Sequence, residues 1–189
     1  MNLADEKRLL LRIKENPTFF GVLFDEYYKT IFNYIFRRVA DYDLSRDIAA
    51  DTFLKAYLKI QSFVWKEISI LSWLYRIATN EANFYFRKSK SAKLFKEILF
   101  GETKKIFEFD DYKTERQQIE EEQQRDADFV KVQLCLKKMD IKYQEVLSLR
   151  YFEKKSILEI AEILDKKEGT IKSLLSRVIE KLKNLFNDY

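Results

Sequence analysis

Apolar residues recur every three or four positions along most of this chain, with almost no strict alternation, and that period predicts helices rather than strands. The first helix covers residues 3–14. Asn16 and Pro17 then read as the N-cap and first position of a second helix, whose stripe of Phe20, Phe24, Tyr27, Ile31 and Ile35 runs to about Val39. Residues 41–45 read as a polar turn. A third helix over 46–60 carries Ile48, Phe53, Ala56, Tyr57 and Ile60 on one face and Asp47, Asp51 and Lys55 on another. The period breaks over 61–69 and resumes in a fourth helix over 70–88, with Leu74, Ile77, Ala78, Ala82 and Tyr85 facing the core. Residues 89–128 lack a sustained period. They contain apolar patches at 94–100 and 106–109, and 117–128 suits the exposed start of a helix. Two further helices follow, over 129–138 with Val130, Leu134 and Met139 inward, and over 141–152 with Val146, Leu147, Leu149 and Tyr151 inward.

The last stretch has the sharpest local signals. Ser156 and Glu159 form an S-x-x-E capping box, and Ile157, Ile160, Ala161 and Leu164 continue at helical spacing. Asp165, Lys166 and Lys167 break the pattern as a short turn. From Glu168 it resumes, with Ile171, Leu175, Val178, Leu182 and Leu185 in one stripe widened by Leu174 and Ile179. Lys172, Ser173, Ser176, Arg177, Glu180 and Lys181 fall on the opposite arc. Two helices with a tight turn, the second bearing short polar and basic side chains, describe a helix-turn-helix that reads duplex DNA. The same spacing also describes an ordinary helix hairpin with a solvated face.

The fourth helix adds a second candidate surface. Trp73, Arg76, Asn80, Asn83 and Arg87 recur at steps of three and four, apart from the core stripe. An aromatic platform, two amides and two guanidinium groups suit unpaired bases and phosphate. A partly buried Trp beside a solvated face is the plainer alternative.

Composition supports an all-helical chain. The 189 residues include only three Gly and one Pro, which turns in sheets consume. The single cysteine, Cys135, excludes an internal disulfide and reads as a buried core thiol. Histidine is absent, which removes the commonest metal ligand and general base. With no nucleotide-binding loop or paired catalytic motif either, no enzyme activity, metal or cofactor is expected. No signal peptide or membrane-length apolar run is evident, so a cytoplasmic protein is expected. Charge is unevenly spread. Residues 1–107 carry +6, residues 108–128 carry −6 and residues 129–189 carry +4. Two nucleic-acid-binding units with a repelling linker would have this distribution, and so would two ordinary domains. The expected architecture is all-α: two small helical domains, 1–90 and 129–189, joined by a flexible linker at 91–128. The second domain is a four-helix helix-turn-helix unit.

The motifs together resemble a bacterial RNA polymerase sigma factor of the extracytoplasmic-function class. The resemblance rests on DIAADTFLKAYLKIQSF (47–63), SWLYRIATNEANFYFRK (72–88) and YQEVLSLRYFEKKSILEIAEILDKKEGTIKSLLSRVIEKLK (143–183), in that order. It implies a transcription initiation factor that binds core RNA polymerase, directs it to promoters and assists opening. By this resemblance Asp47, Ile48, Asp51, Thr52, Phe53 and Lys55 face the polymerase. Phe63, Val64, Trp65, Lys66, Trp73, Arg76, Asn80, Asn83, Arg87 and Lys88 handle the single-stranded −10 element. Lys166, Lys167, Thr170, Lys172, Ser173, Ser176, Arg177 and Lys181 contact the −35 duplex. An anti-sigma factor is a further partner implied by the family alone. The alternative is a helix-turn-helix regulator with an N-terminal sensing or dimerising domain, which would have no use for the 73–87 face.

This chain departs from the family pattern at several positions. Ala50 stands where glutamine is frequent. The loop before Trp73 lacks its usual glycine. Asp165, Lys166 and Lys167 occupy a turn that usually holds glycine, a buried aliphatic and a serine cap, and Leu174 stands where arginine is common. The turn, where Lys166 and Lys167 add phosphate-reaching charge, implies a C-terminal domain that leans on backbone phosphates, with steep salt dependence.

Overall fold

The computed structural model describes residues 1–65, 68–100, 135–136 and 138–187, and all the regular structure among them is helical. Helix α1 spans Leu3–Glu15, α2 Phe20–Val39, α3 Tyr42–Lys59 and α4 Ile70–Phe100. After the undescribed stretch come α5 (Ile141–Leu147), α6 (Ile157–Leu164) and α7 (Glu168–Asn187). The expected linker beyond residue 100, its patch at 106–109, the helix start at 117–128 and most of the expected helix at 129–138 lie outside the described residues, as do Lys66 and the side chain of Leu185.

Caps set the boundaries. The Asn2 side chain accepts from Asp5 N–H at the start of α1. Asn16 accepts from Thr18 N–H, and Pro17 opens a 3₁₀ turn, Pro17–Phe19, that feeds α2. Residues 41–45 are not a turn: Asp41 accepts from Leu44 N–H at 2.9 Å and starts α3 four residues earlier than periodicity predicts. The chain reverses at Ala40 alone, in the left-handed region at φ 51°, leaving Asp41 free to cap. Helix α4 continues past Lys88 to Phe100, so the first ten residues of the expected linker are helical.

Helices α2, α3 and α4 pack on one another, and α1 closes one end of the group. Their core holds Leu9, Leu10, Ile13, Leu23, Ile31, Ile35, Ile48, Phe53, Ala56, Leu74 and Ala78. Phe24 and Tyr57, expected inside, sit at the rim: Phe24 packs against Tyr28 and Phe53, and Tyr57 meets Phe20 edge-on. In the C-terminal half, α5, α6 and α7 surround Val146, Leu149, Ile160, Ile163, Ile171, Leu175 and Val178, and Cys135 is buried as expected. Ile179 is exposed and Leu174 buried, so the inner stripe of α7 is shifted toward Leu174.

One segment departs from simple helix. Ser148–Phe152 forms a π-helical turn, with Glu153 N–H donating to Ser148 O at 3.1 Å. The wider turn puts an extra residue into the helix, moves the period out of phase and turns Tyr151 out to solvent, contrary to the buried position expected.

Ser156 caps α6 in a full capping box: Glu159 N–H donates to Ser156 Oγ at 3.2 Å, and Ser156 N–H donates to Glu159 Oε2 at 2.8 Å. Burial alone would raise the Glu159 pKa, but the bonds from Ser156 and the Lys155 ammonium hold it below the ordinary carboxylate value. The ionised carboxylate therefore stabilises the fold above the unfolded-state pKa, and that contribution is lost as pH falls through the lowered value. Ser156→Ala is expected to cost about 1 kcal/mol in chemical denaturation at neutral pH. The difference from wild type should shrink in acid.

Candidate nucleic-acid interface

Helix α4 carries the first expected face. Trp73 is half-buried and stacks at a tilt on Phe63, ring centroids 4.6 Å apart. Asn80, Arg87 and Lys88 are exposed, Arg76 is partly exposed, and Val64, in the loop before the helix, is 70% exposed. Phe63, Val64, Trp73 and Arg76 line a cavity of about 290 Å³, together with Lys59, Ile68, Ser69 and Ser72. Ser72 was not among the site residues expected from the sequence. Its hydroxyl is buried behind the cavity wall and has no hydrogen-bond partner among the described residues.

The C-terminal half covers part of this face. Glu162 and Ile163 of α6 complete the cavity wall. The Arg76 guanidinium pairs with Asp165 at 2.9 Å. Asn83 does not point to solvent: its Oδ1 accepts from buried Arg38 at 3.0 Å, and its Nδ2 donates to Glu145 at 2.5 Å. Beside these contacts Arg37 pairs with Glu153 at 2.8 Å, and Glu153 also accepts from Tyr75 OH. Burial first, and the Glu153 charge and hydrogen bond with it, push the Tyr75 pKa up, so Tyr75 is the donor. Three acidic side chains of one half thus occupy basic and amide groups of the other.

The second face is open. Lys166, Lys167, Thr170, Lys172, Ser173, Ser176, Arg177 and Lys181 are all exposed. Asp165 sits at φ 54°, a left-handed conformation that a short carboxylate side chain tolerates better than most. Its side chain goes to Arg76, so it does not replace the missing serine cap. The Lys167 carbonyl accepts from Thr170 and Ile171 N–H, which leaves the start of α7 with Lys166 and Lys167 projecting beside it.

The expected polymerase face is only partly a surface. Ile48, Thr52 and Phe53 are buried, at 0%, 0% and 3% exposure. Thr52 donates to Ile48 O inside its own helix, and Phe53 packs with Phe24, so none of the three can present a side chain to a partner. Asp47 and Lys55 are exposed and Asp51 partly so. Asp51 accepts from Tyr85 OH at 2.7 Å, and Lys55 pairs with Glu81 of α4. The hydrogen bond to Asp51, with some burial, pushes the Tyr85 pKa up to about 12. Leu54 and Leu58, one turn apart on α3 and more than half exposed, are the unpartnered apolar groups that sequence reasoning missed.

Among the described residues no group of His, Cys, Asp or Glu could hold a metal ion, and no helix is long and apolar enough to cross a membrane.

Residues 23–92 match the Sigma-70 region 2 family and residues 129–182 the Sigma-70 region 4 family. The chain is similar to the RNA polymerase sigma factor YlaC of Bacillus subtilis, at 33% identity over 85% of this chain and 88% of that protein. It is similar to the ECF RNA polymerase sigma factor SigW of the same organism, at 29% identity over the full length of both. It is also 29% identical to the ECF RNA polymerase sigma factor BldN of Streptomyces coelicolor, over 89% of this chain, and spans 61% of that longer protein. Its fold resembles CnrH in the complex with the cytosolic domain of CnrY, with a TM-score of 0.68 at 18% identity over 97% of each chain. It also resembles the Bartonella quintana sigma factor RpoE in complex with the anti-sigma factor NepR, with a TM-score of 0.64 at 20% identity over 89% of this chain and 96% of that one. With both sigma regions in order and relatives matched along nearly its whole length, the chain belongs to the ECF RNA polymerase sigma factors.

Proposed function

We propose that this protein binds core RNA polymerase in the cytoplasm, directs it to promoters through two separate DNA contacts and helps open the duplex, without catalysing a reaction itself. The observation that carries this reading is the pairing of unlike surfaces. The arc of α7 is basic, polar and exposed, as duplex contact requires. The α4 face has a tilted Phe63–Trp73 pair, a cavity beside it and the exposed Asn80 amide, which suit an unstacked base. A dimerising domain would need neither the cavity nor the exposed Asn80 amide, and a sensing domain would have no use for that amide on the same face as Arg87 and Lys88. Polymerase contact falls to Asp47, Asp51 and Lys55 with Leu54 and Leu58 on the exposed side of α3, which joins apolar area to charge.

The structure is closed with respect to this use. Asp165 and Glu145 stand on Arg76 and Asn83, where the non-template strand would lie, so the halves separate before the −10 element is engaged. Polymerase supplies that separation by holding the halves apart. An anti-sigma protein, by analogy with the complexes of similar fold, would act on the same balance.

Purified protein with bacterial core polymerase is expected to give run-off transcripts from specific promoters. Absence of both core binding and initiation overturns the reading. Asn80→Ala is expected to reduce promoter opening, read by permanganate reactivity, with core affinity unchanged; a loss of core affinity instead would show that the face is misassigned. Lys172→Ala with Arg177→Ala should weaken −35 duplex binding and lower the salt slope by about two. Equal slopes for the double variant and wild type would move the duplex contact elsewhere.

A further inference from the structure

We infer that α1 is a positioning device for the −10 loop, with Glu6 and Lys14 tying down its two ends; this rests on the assignment of 63–69 and α4 to the −10 strand. Glu6 is only 3% exposed, although it is a carboxylate on a short N-terminal helix. A buried carboxylate is costly unless its oxygens are hydrogen-bonded, and both of these are. Oε1 accepts from Tyr27 OH at 2.5 Å and from Ser69 OH at 2.7 Å. Oε2 accepts from Ile70 N–H at 2.9 Å.

Ile70 is the first residue of α4, so its N–H has no acceptor within the helix, and the positive end of the helix dipole lies there. Glu6 thus caps α4 from 64 residues away in sequence. Ser69, which precedes the helix, is drawn into the same contact. Its hydroxyl donates to Glu6 and accepts from Leu71 N–H at 3.2 Å.

The other end of the loop is held by the next contact along α1. The Lys14 ammonium donates to Phe63 O at 2.8 Å, and Gln61 Nε2 donates to Lys14 O at 3.5 Å. Glu6 and Lys14 are eight residues apart, which on a helix is about 12 Å along the axis. Leu9, Leu10 and Ile13 are buried between them, so α1 is a rigid brace with a polar tie at each end. The segment it spans contains no glycine or proline to fix its own path. It carries Val64 into the open, and Phe63 against Trp73, at the cavity. Neither Glu6 nor Lys14 lines that cavity; both are positioning residues, setting where its wall stands.

The test uses the full-length protein with bacterial core polymerase. A promoter pool randomised over the −10 and −35 elements is selected by wild type and by Glu6→Ala, Glu6→Gln, Lys14→Met and Asn80→Ala. Glu6→Ala and Lys14→Met are expected to broaden the selected base distribution at the −10 element and to slow opening by about tenfold, the scale of one lost charged hydrogen bond. Core affinity and the −35 base distribution should stay as in wild type. Glu6→Gln keeps an acceptor for Ile70 N–H and offers its amide to hydroxyls that can accept, so it should restore most of the base preference. If Asn80→Ala changes opening while Glu6→Ala and Lys14→Met leave the −10 distribution as in wild type, the brace is overturned. If Asn80→Ala is also silent, the underlying assignment of α4 fails instead. Should Glu6→Ala not fold, Lys14→Met decides: an unchanged −10 distribution, or one that broadens equally at −35, rejects positioning.

Discussion

The closed arrangement turns on one buried charge. Arg38 is 1% exposed and donates to Tyr34 OH at 3.2 Å and to Asn83 Oδ1 at 3.0 Å, both neutral groups. Tyr34 is fixed in turn by a 2.7 Å hydrogen bond with Thr79. The negative counterpart is Glu145 in the other half, reached through the Asn83 amide. A buried guanidinium is tolerable while this relay is complete and costly when it is cut. Asn83 is therefore both a structural bridge and a member of the face assigned to DNA. When the halves part, water or another acceptor has to take the place of Glu145.

Most of the helices are legible because apolar spacing and caps act locally. The capping box at Ser156 needs only neighbours and stands where the sequence puts it, while Asn16 and Pro17 start a 3₁₀ turn three residues ahead of α2 rather than α2 itself. Asp41 carries the same kind of signal, but a single left-handed Ala40 does the work of a turn, and an alanine gives no hint of that. The assignment of Ile48, Thr52 and Phe53 to the polymerase face came from family resemblance, while periodicity placed Ile48 and Phe53 in the core. Burial sides with periodicity. Ser72 and Glu6 were illegible for a different reason: what matters about them is the absence of a partner in one case and partners up to 64 residues distant in the other.

Charge distribution was legible as blocks but not as contacts. Two positive blocks flanking an acidic segment suggest two basic units, yet hydrogen bonds and ion pairs between the halves are made by Glu145, Glu153 and Asp165, acids within the basic C-terminal block. Block sums hide such reversals, because at contact distance a single carboxylate outweighs screened charges farther than about 8–10 Å away.

The π-helical turn at Ser148–Phe152 connects these themes. One residue more than an α-helical turn rotates everything after it by roughly 100°. Here that rotation brings Phe152 over the Arg37 guanidinium, at 5.5 Å, and puts Glu153 between Arg37 and Tyr75. Docking between the halves is thus set by the length of one turn as well as by the side chains it presents. A relative could redirect the contact by gaining or losing one residue there, with its core sequence intact. The surface that holds the two halves together can therefore change by a kind of step that substitution matrices do not count.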